Sequence, residues 1–180
     1  MPFNSIGNLV WIDIEATGLD YFSAEILEVA LLVTDKNLNF LHNGLDFVIH
    51  QPDEVLNNME EWSQKHHQKS GLITASREST LSLQDASDLI LEEIKKYSTL
   101  KSSPLCGNSV YFDKYLLSKF LPQIDQYLNF QLIDVTTVRD LKKIWYPHII
   151  RFKKSDRHRA LPDIKESVGE LRYLKKEIFK

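Results

Sequence analysis

Apolar residues follow two different periods along this chain, and the change comes after His50. Leu9 to Ile14 is an apolar run broken by Asp13 and followed by Glu15, with Thr17-Gly18 as turn chemistry behind it. It predicts a buried strand whose end carries acids. Ile26 to Thr34 is a second apolar run rich in branched residues, Asp35-Lys36-Asn37 is a tight turn, and Leu38 to His50 alternates well enough for a third strand. Three strands with short connections imply an antiparallel meander.

Beyond that point the spacing turns helical. Glu54 to Ser70 holds short helical stretches. In Ser82 to Tyr97, Leu83, Ala86, Leu89, Ile90 and Ile94 form one stripe, with Ser82 as N-cap and Asp85 three residues on. Leu105-Cys106-Gly107 predicts a short strand, Asp113 to Phe120 a helix stopped near Pro122, and Gln131 to Val135 a last strand. Thr136 to Trp145 predicts a helix, and a final one begins near Pro162 and runs to about Ile178. The segment from Pro147 to Arg159 is the least regular and is expected to be a mobile loop. The order βββ-α-β-α-β-α implies an α/β domain over 1–180, a mixed five-stranded sheet with helices on both faces.

Composition narrows the class. Hydrophobic residues at 43% and charged residues at 26% fit a globular chain and exclude a disordered one. Cys106 is the sole cysteine, so no intrachain disulfide is possible, which suits a reducing compartment. No apolar run approaches a membrane span, and Met1-Pro2-Phe3-Asn4 lacks the features of a secretory signal. A cytoplasmic protein is the expectation, with the mitochondrial matrix open. The net charge of −3 argues against a long nucleic-acid groove. Locally the balance reverses: Arg139, Lys142, Lys143, Arg151, Lys153, Lys154, Arg157 and Arg159 face only Asp140 and Asp156. That stretch reads equally as a solvated helix face and loop or as a phosphate-attracting patch.

The chemistry lies in the acids. Asp13 and Glu15 are two apart on a strand, so both side chains leave one face. Buried side by side they repel, and a hard divalent ion with oxygen ligands resolves this. Taken singly, either acid could instead cap a helix or pair with a lysine. Asp113 opens a helix after the turn-rich Gly107-Asn108-Ser109, where a substrate's backbone could approach closely. His158 precedes the last helix and Asp163 sits in its first turn, so one element offers a base and a ligand to one site. The set suits phosphodiester hydrolysis, with two divalent ions on the scissile phosphate and His158 taking a proton from water near neutral pH.

Several stretches carry a resemblance: Trp11-Ile-Asp-Ile-Glu-Ala-Thr-Gly-Leu-Asp20, Cys106-Gly-Asn-Ser-Val-Tyr-Phe-Asp113, Asp134-Val-Thr-Thr-Val138 and His158-Arg-Ala-Leu-Pro-Asp163. Gln51-Pro52-Asp53, Trp62 and His67-Gln-Lys-Ser-Gly-Leu72 add to it. Together they resemble the oligoribonucleases of the DEDDh exonuclease superfamily. The resemblance implies an RNase H-like fold, a homodimer, Mg²⁺ or Mn²⁺ dependence, and 3′-to-5′ degradation of RNA of about two to five nucleotides to mononucleotides. It assigns Asp13, Glu15, Asp113 and Asp163 as metal ligands and His158 as general base. Leu19 corresponds to a leucine that wedges against bases and Trp62 to an aromatic at the base-binding end. Ser109 and Thr136 correspond to hydroxyls that cap a 5′ phosphate.

Two positions depart from that pattern. Ala16 stands where methionine is usual, and Phe130-Gln131 replaces a Tyr-Arg pair that helps hold the 5′ phosphate. Losing a potentially bidentate guanidinium implies weaker discrimination for the shortest substrates. The competing expectations are a general DEDDh exonuclease on longer RNA or single-stranded DNA, and a catalytically silent binder of short RNA. Cys106 reads as a buried small hydrophobe and His66-His67 as part of an exposed helix. Trp145-Tyr146-Pro147 serves either the core or a dimer interface.

Overall fold

The computed structural model describes residues 6–154 and 159–179. Five strands form one sheet in the order β3-β2-β1-β4-β5. They are β1 (Leu9–Ala16), β2 (Ile26–Thr34), β3 (Leu45–Val48), β4 (Leu105–Gly107) and β5 (Leu132–Asp134). β1 pairs antiparallel with β2, and β2 with β3, while β1–β4 and β4–β5 are parallel, so the sheet is mixed as the pattern implied. All nine residues of β2 are buried, which is why its sequence reads as a continuous apolar run and not as an alternation.

The helices are α1 (Asp53–Asn57), α2 (Glu61–Ser70), α3 (Leu72–Glu78), α4 (Leu83–Tyr97), α5 (Tyr111–Phe120), α6 (Pro122–Tyr127), α7 (Val135–Trp145) and α8 (Ala160–Ile178). Val10, Ile12 and Ile14 of β1 pack with Ala86, Ile90 and Ile94 of α4, Leu116 and Leu117 of α5, and Ile124 of α6. The opposite row begins with Leu9 and Trp11, which pack with Val135 of α7 and Ile164, Val168 and Leu174 of α8. Helices therefore cover both faces. Asp13 and Glu15 continue the second row, on the side of α8.

Several boundaries differ from the expectation. Only Leu45–Val48 joins the sheet as the third strand, because the turn is longer than Asp35-Lys36-Asn37 suggests. The Asp35 carboxylate accepts from the amides of both Asn37 and Asn39 at 2.8 Å, Leu38 takes φ 69°, and Phe40 makes one isolated bridge to Thr34. Gly44, at φ 88°, then lets the chain pass Leu161; a Cβ there would lie 2.4 Å from Leu161 Cδ1. Pro122 follows the end of α5 as expected, but it also opens α6 at N1, where its missing N–H costs nothing. The last helix begins at Ala160, with Pro162 inside its first turn. The N-cap at Ser82 is as read, its hydroxyl accepting from the Asp85 amide at 3.1 Å.

Candidate metal and nucleotide site

Strand alternation sends Asp13 and Glu15 off the face that Trp11 occupies one step earlier, and Asp163 arrives from the first turn of α8. The structure brings these three together: one carboxylate oxygen from each lies within 4.8 Å of the other two. Asp113 sits in the first turn of α5 and is buried. Its Oδ1 accepts from the amide of Ile14, the residue between the two strand acids, at 2.9 Å. Asp113 is outside the tight trio but lines the same cavity, and its helix opens at Tyr111, two residues earlier than the sequence implied.

Burial dominates the electrostatics. Desolvation, then the charges of Asp113, Asp163 and Glu28, hold Asp13 well above the usual carboxylate range. Desolvation, then the same kind of crowding by Asp13, Asp163 and Glu28, pushes Glu15 up to about 9. Asp113 is pushed to about 8, again chiefly by burial, against the lowering effect of its bond from Ile14. Lys154 pulls Asp13 down and Arg159 pulls Glu15 down, but neither outweighs desolvation. A half-buried set of carboxylates gathered within 4.8 Å resists ionisation when alone and is the donor set that Mg²⁺ or Mn²⁺ prefers. The residues fit a divalent metal.

The acids lie in a cavity of about 580 Å³ whose walls include Leu19, Trp62, Ser109 and Tyr111. Leu19 is 64% exposed and Trp62 53%, so neither is core. Both apolar surfaces are held in place. Glu60 Oε1 accepts from the Leu19 amide at 2.8 Å and the Asp20 amide at 3.0 Å. A side chain at Gly18 would fall 2.3 Å from that oxygen. Trp62 stacks on His66 with ring centroids 3.9 Å apart, and His66 Nδ1 lies 2.7 Å from the Trp62 carbonyl.

Ser109 also lines the cavity, with φ 52°, a left-handed conformation unusual for serine. The surroundings enforce it: its amide donates to Asp134 Oδ1 at 2.8 Å and Thr136 Oγ1 at 3.0 Å. Thr136 does not line the cavity. It holds Ser109, accepts from Arg139 Nη2 at 3.2 Å and donates to Asn108 Oδ1 at 3.3 Å. His158 lies outside the described residues.

Three residues of the site were missed in the sequence. His67 is buried, contrary to the exposed-helix expectation, because α2 lays it under the strand end. Its Nε2 is 3.0 Å from the carbonyl of Ala16 and 3.8 Å from Glu15 Oε2, where the β1–β2 register shifts between Glu15 and Ala16. Glu60 is the second. Glu28 is the third, and it had a signal: it is the single charge within the apolar run of β2.

The basic segment is largely committed internally. Lys154 Nζ meets Glu170 Oε2 at 2.9 Å, Arg139 Nη1 meets the same oxygen at 3.5 Å, and Lys143 pairs with Asp140 at 2.6 Å. Lys142 donates to the Ile149 carbonyl and Arg159 to Glu28. Arg151 and Lys153 are exposed, while Arg157 lies outside the described residues. Cys106 is buried as expected, and burial raises its thiol pKa. Trp145 is exposed, so the core reading of it fails.

A mixed α/β sheet thus sets an acid pair on its central strand against an acid from the last helix, beside an open cavity, an arrangement suited to a divalent metal. The chain belongs to the exonuclease family, whose profile matches residues 10–171. It is 45% identical to the probable oligoribonuclease of Drosophila melanogaster, over 96% of this chain and 83% of that one. It is 44% identical to the oligoribonuclease of Francisella tularensis subsp. holarctica, over 97% of both, and 45% identical to the human mitochondrial oligoribonuclease, over 96% of this chain and 73% of that one. Among solved structures it resembles exonuclease I of Methylocaldum szegediense (TM-score 0.76, 16% identity, 97% of this chain). It also resembles E. coli exonuclease I in complex with a 5cy-dT13 oligonucleotide (TM-score 0.76, 15% identity, 97% of this chain). The chain spans about two fifths of those exonuclease I chains, 41% and 42% respectively, and the likeness is one of fold. Among the described residues no helix is long and apolar enough to cross a membrane.

Proposed function

We propose that this chain is a 3′-to-5′ exoribonuclease that degrades short oligoribonucleotides, about two to five nucleotides long, to mononucleotides. The observation that carries the reading is the gathering of Asp13, Glu15 and Asp163 within 4.8 Å in a cavity also walled by Leu19 and Trp62. These three with Asp113 would hold two divalent ions, Mg²⁺ or Mn²⁺, which when bound supply Lewis acidity to the scissile phosphate and the attacking water. Trp62 offers an aromatic face and Leu19 an apolar edge to the terminal bases. Ser109 presents its hydroxyl from a fixed turn, backed by Thr136. His158 would take the proton of the attacking water. The near-full-length likeness to proteins named oligoribonuclease supports RNA as the substrate. A cavity of this size, beside a basic segment mostly spent on internal partners, supports a short one.

The active form is a homodimer. Phe130, 81% exposed, precedes the edge strand β5, and Ile144, Trp145 and Ile150 are also exposed around α7. Large apolar side chains beside an open sheet edge suit burial against a second copy. A reducing compartment, cytoplasm or mitochondrial matrix, suits the free Cys106.

A time course on 5′-labelled RNA of graded length, with Mg²⁺, with Mn²⁺ and with chelator, tests the activity. Metal-dependent release of mononucleotides, fastest on the shortest RNA, is expected. Equal trimming of long RNA or single-stranded DNA moves the role to general 3′ processing, and no cleavage leaves a binding protein. Replacing Phe130-Gln131 by Tyr-Arg is expected to raise kcat/KM on 5′-phosphorylated two-mers about tenfold over seven-mers, as one charged hydrogen bond would. A wild-type chain already strongly selective for two-mers would sink that idea.

A further inference from the structure

Glu28 lies in the middle of β2 with no exposed surface. A carboxylate so placed is costly unless both oxygens are engaged. They are: among the described residues, donors at the start of α8 meet both oxygens, and Asp46 of β3 lies against the same carboxylate. Arg159 donates to Oε1 through Nε at 2.7 Å and again through Nη2, while the Ala160 amide donates to Oε2 at 2.9 Å. Arg159, the N-cap residue of α8, makes no side-chain cap of its own, and Glu28, accepting from the Ala160 amide 132 residues away, caps this helix instead. A buried carboxylate at the positive end of a 19-residue helix is well placed to anchor it.

The other side of the same residue faces the acids. Glu28 is the direct cross-strand neighbour of Glu15, and Asp13 stands opposite Ala30, two residues further along β2. Asp163 is tied to the anchored turn, its amide donating to the Arg159 carbonyl at 3.1 Å. A single side chain therefore connects the strand pair that carries Asp13 and Glu15 to the helix start that carries Asp163. We propose that Glu28 is a positioning residue: by holding Arg159 and the Ala160 amide it fixes where α8 begins, and thereby how closely Asp163 meets Asp13 and Glu15. It stands apart from the cluster of Asp13, Glu15 and Asp163 and acts through the start of α8. Arg159 completes the device. Its guanidinium bridges Glu28 and, at 3.4 Å, Asp46 of β3, so that a third strand is drawn into the same clamp. His158 adjoins Arg159 in sequence, so the clamp also bounds the segment that supplies the proposed base.

The inference rests on the metal reading of the acids, and the test separates the two. Mn²⁺ binding to the whole protein is measured by calorimetry at a temperature where every variant is folded by circular dichroism. Glu28→Gln keeps the shape but opposes an amide to the donors of Arg159 and Ala160. It is expected to weaken Mn²⁺ binding about tenfold, within the range seen when a group that orients metal ligands is lost. kcat should fall likewise at limiting Mn²⁺ and recover as Mn²⁺ is raised, with KM for a two-mer unchanged. Arg159→Lys, which keeps the charge and loses the fork, is expected to show the same split more weakly and serves as the deciding variant where Glu28→Gln does not fold. Wild-type Mn²⁺ affinity in the deciding variant, with only the melting temperature lowered, would overturn the proposal and leave a structural ion pair. Asp13→Asn is the control. Retained Mn²⁺ binding in that variant overturns the metal reading and with it this proposal, whereas loss there with wild-type affinity in Glu28→Gln overturns the positioning role alone.

Discussion

Helix α8 carries two acids seven residues apart, Asp163 and Glu170, which at 3.6 residues per turn share a face of the helix. Among the described residues their neighbours differ in charge. Glu170 is buried and met by two cations, Lys154 at 2.9 Å and Arg139 at 3.5 Å. Asp163 is met by two more acids, Asp13 and Glu15. An acid among cations is an internal ion pair that holds α7, α8 and the chain before Arg159 together. Acids gathered among acids cost stability in the metal-free chain and make sense when a divalent ion joins them. The contrast separates a structural carboxylate from a functional one by its surroundings, where residue type and burial alone would not.

The largest effect that sharpens this contrast is at Asp13. Asp13→Asn is expected to lower kcat by about three orders of magnitude, the several kcal/mol that a metal contributes to the reaction. The same substitution should raise the metal-free melting temperature at pH 7 by about 3 °C, because it removes an acid whose ionised form the empty site disfavours. Turnover on a two-mer and a thermal melt in chelator check both halves. A metal-free melt lowered by Asp13→Asn would show the acids to be structural, and the comparison with Glu170 would fail.

Next in size is the pH dependence without metal. Glu15 is raised from 4.5 to about 9 and Asp113 from 3.8 to about 8. Between about pH 4 and pH 9 the folded chain therefore holds protons that the unfolded chain has released. Stability must then fall as pH rises through that window, the reverse of the usual behaviour of paired carboxylates. The melting temperature in chelator should drop by about 5 °C from pH 5 to pH 8, and saturating Mg²⁺ at pH 8 should reverse the drop. A melting temperature flat from pH 5 to pH 8 would show the acids to be ionised and relaxed in the empty site.

Much of this was legible in the sequence. Alternation in β1 put Asp13 and Glu15 on one face, and the apolar run from Ile26 to Thr34 marked the second strand. Turn chemistry before two helix starts added Asp113 and Asp163, and the resemblance then pointed to the outer residues Leu19, Trp62, Ser109 and Thr136. What escaped has a common physical origin: partners distant in sequence. His67 reads as a helical surface histidine until the β1 carbonyl of Ala16 appears beside it, 51 positions away. Glu60 reads as a solvated acid until its bonds to the Leu19 and Asp20 amides are seen. The basic stretch from Arg139 to Arg159 could not be divided between phosphate and protein, since the acids it serves, Glu28 and Glu170, belong to β2 and the middle of α8. Local signals were also outvoted at the third strand, where the Asp35 side chain captured two amides and lengthened the turn.

The smallest effect tests the other half of the comparison. Glu170→Gln keeps the volume and one acceptor oxygen but leaves Arg139 and Lys154 without their counter-charge. Breaking a fully buried pair costs roughly 3–5 kcal/mol. Here the cations are 22% and 27% exposed, so water can take up part of their charge, and the expected loss is about 1–2 kcal/mol, read from the urea midpoint at constant slope. Turnover should stay within about threefold of wild type, because Glu170 touches none of the site acids and the fold survives a loss of that size. The substitution releases Lys154, which already draws Asp13 downward. A freed ammonium moving toward Asp13 would compete with the metal, so the Mg²⁺ concentration needed for half-maximal rate should rise slightly, and only at low ionic strength. An acid-to-amide change at Asp13 and one at Glu170 then give opposite signs in metal-free stability and very different losses of rate. If instead both lower stability and both abolish turnover, the ion pair at Glu170 belongs to the catalytic site and the division drawn along α8 is wrong.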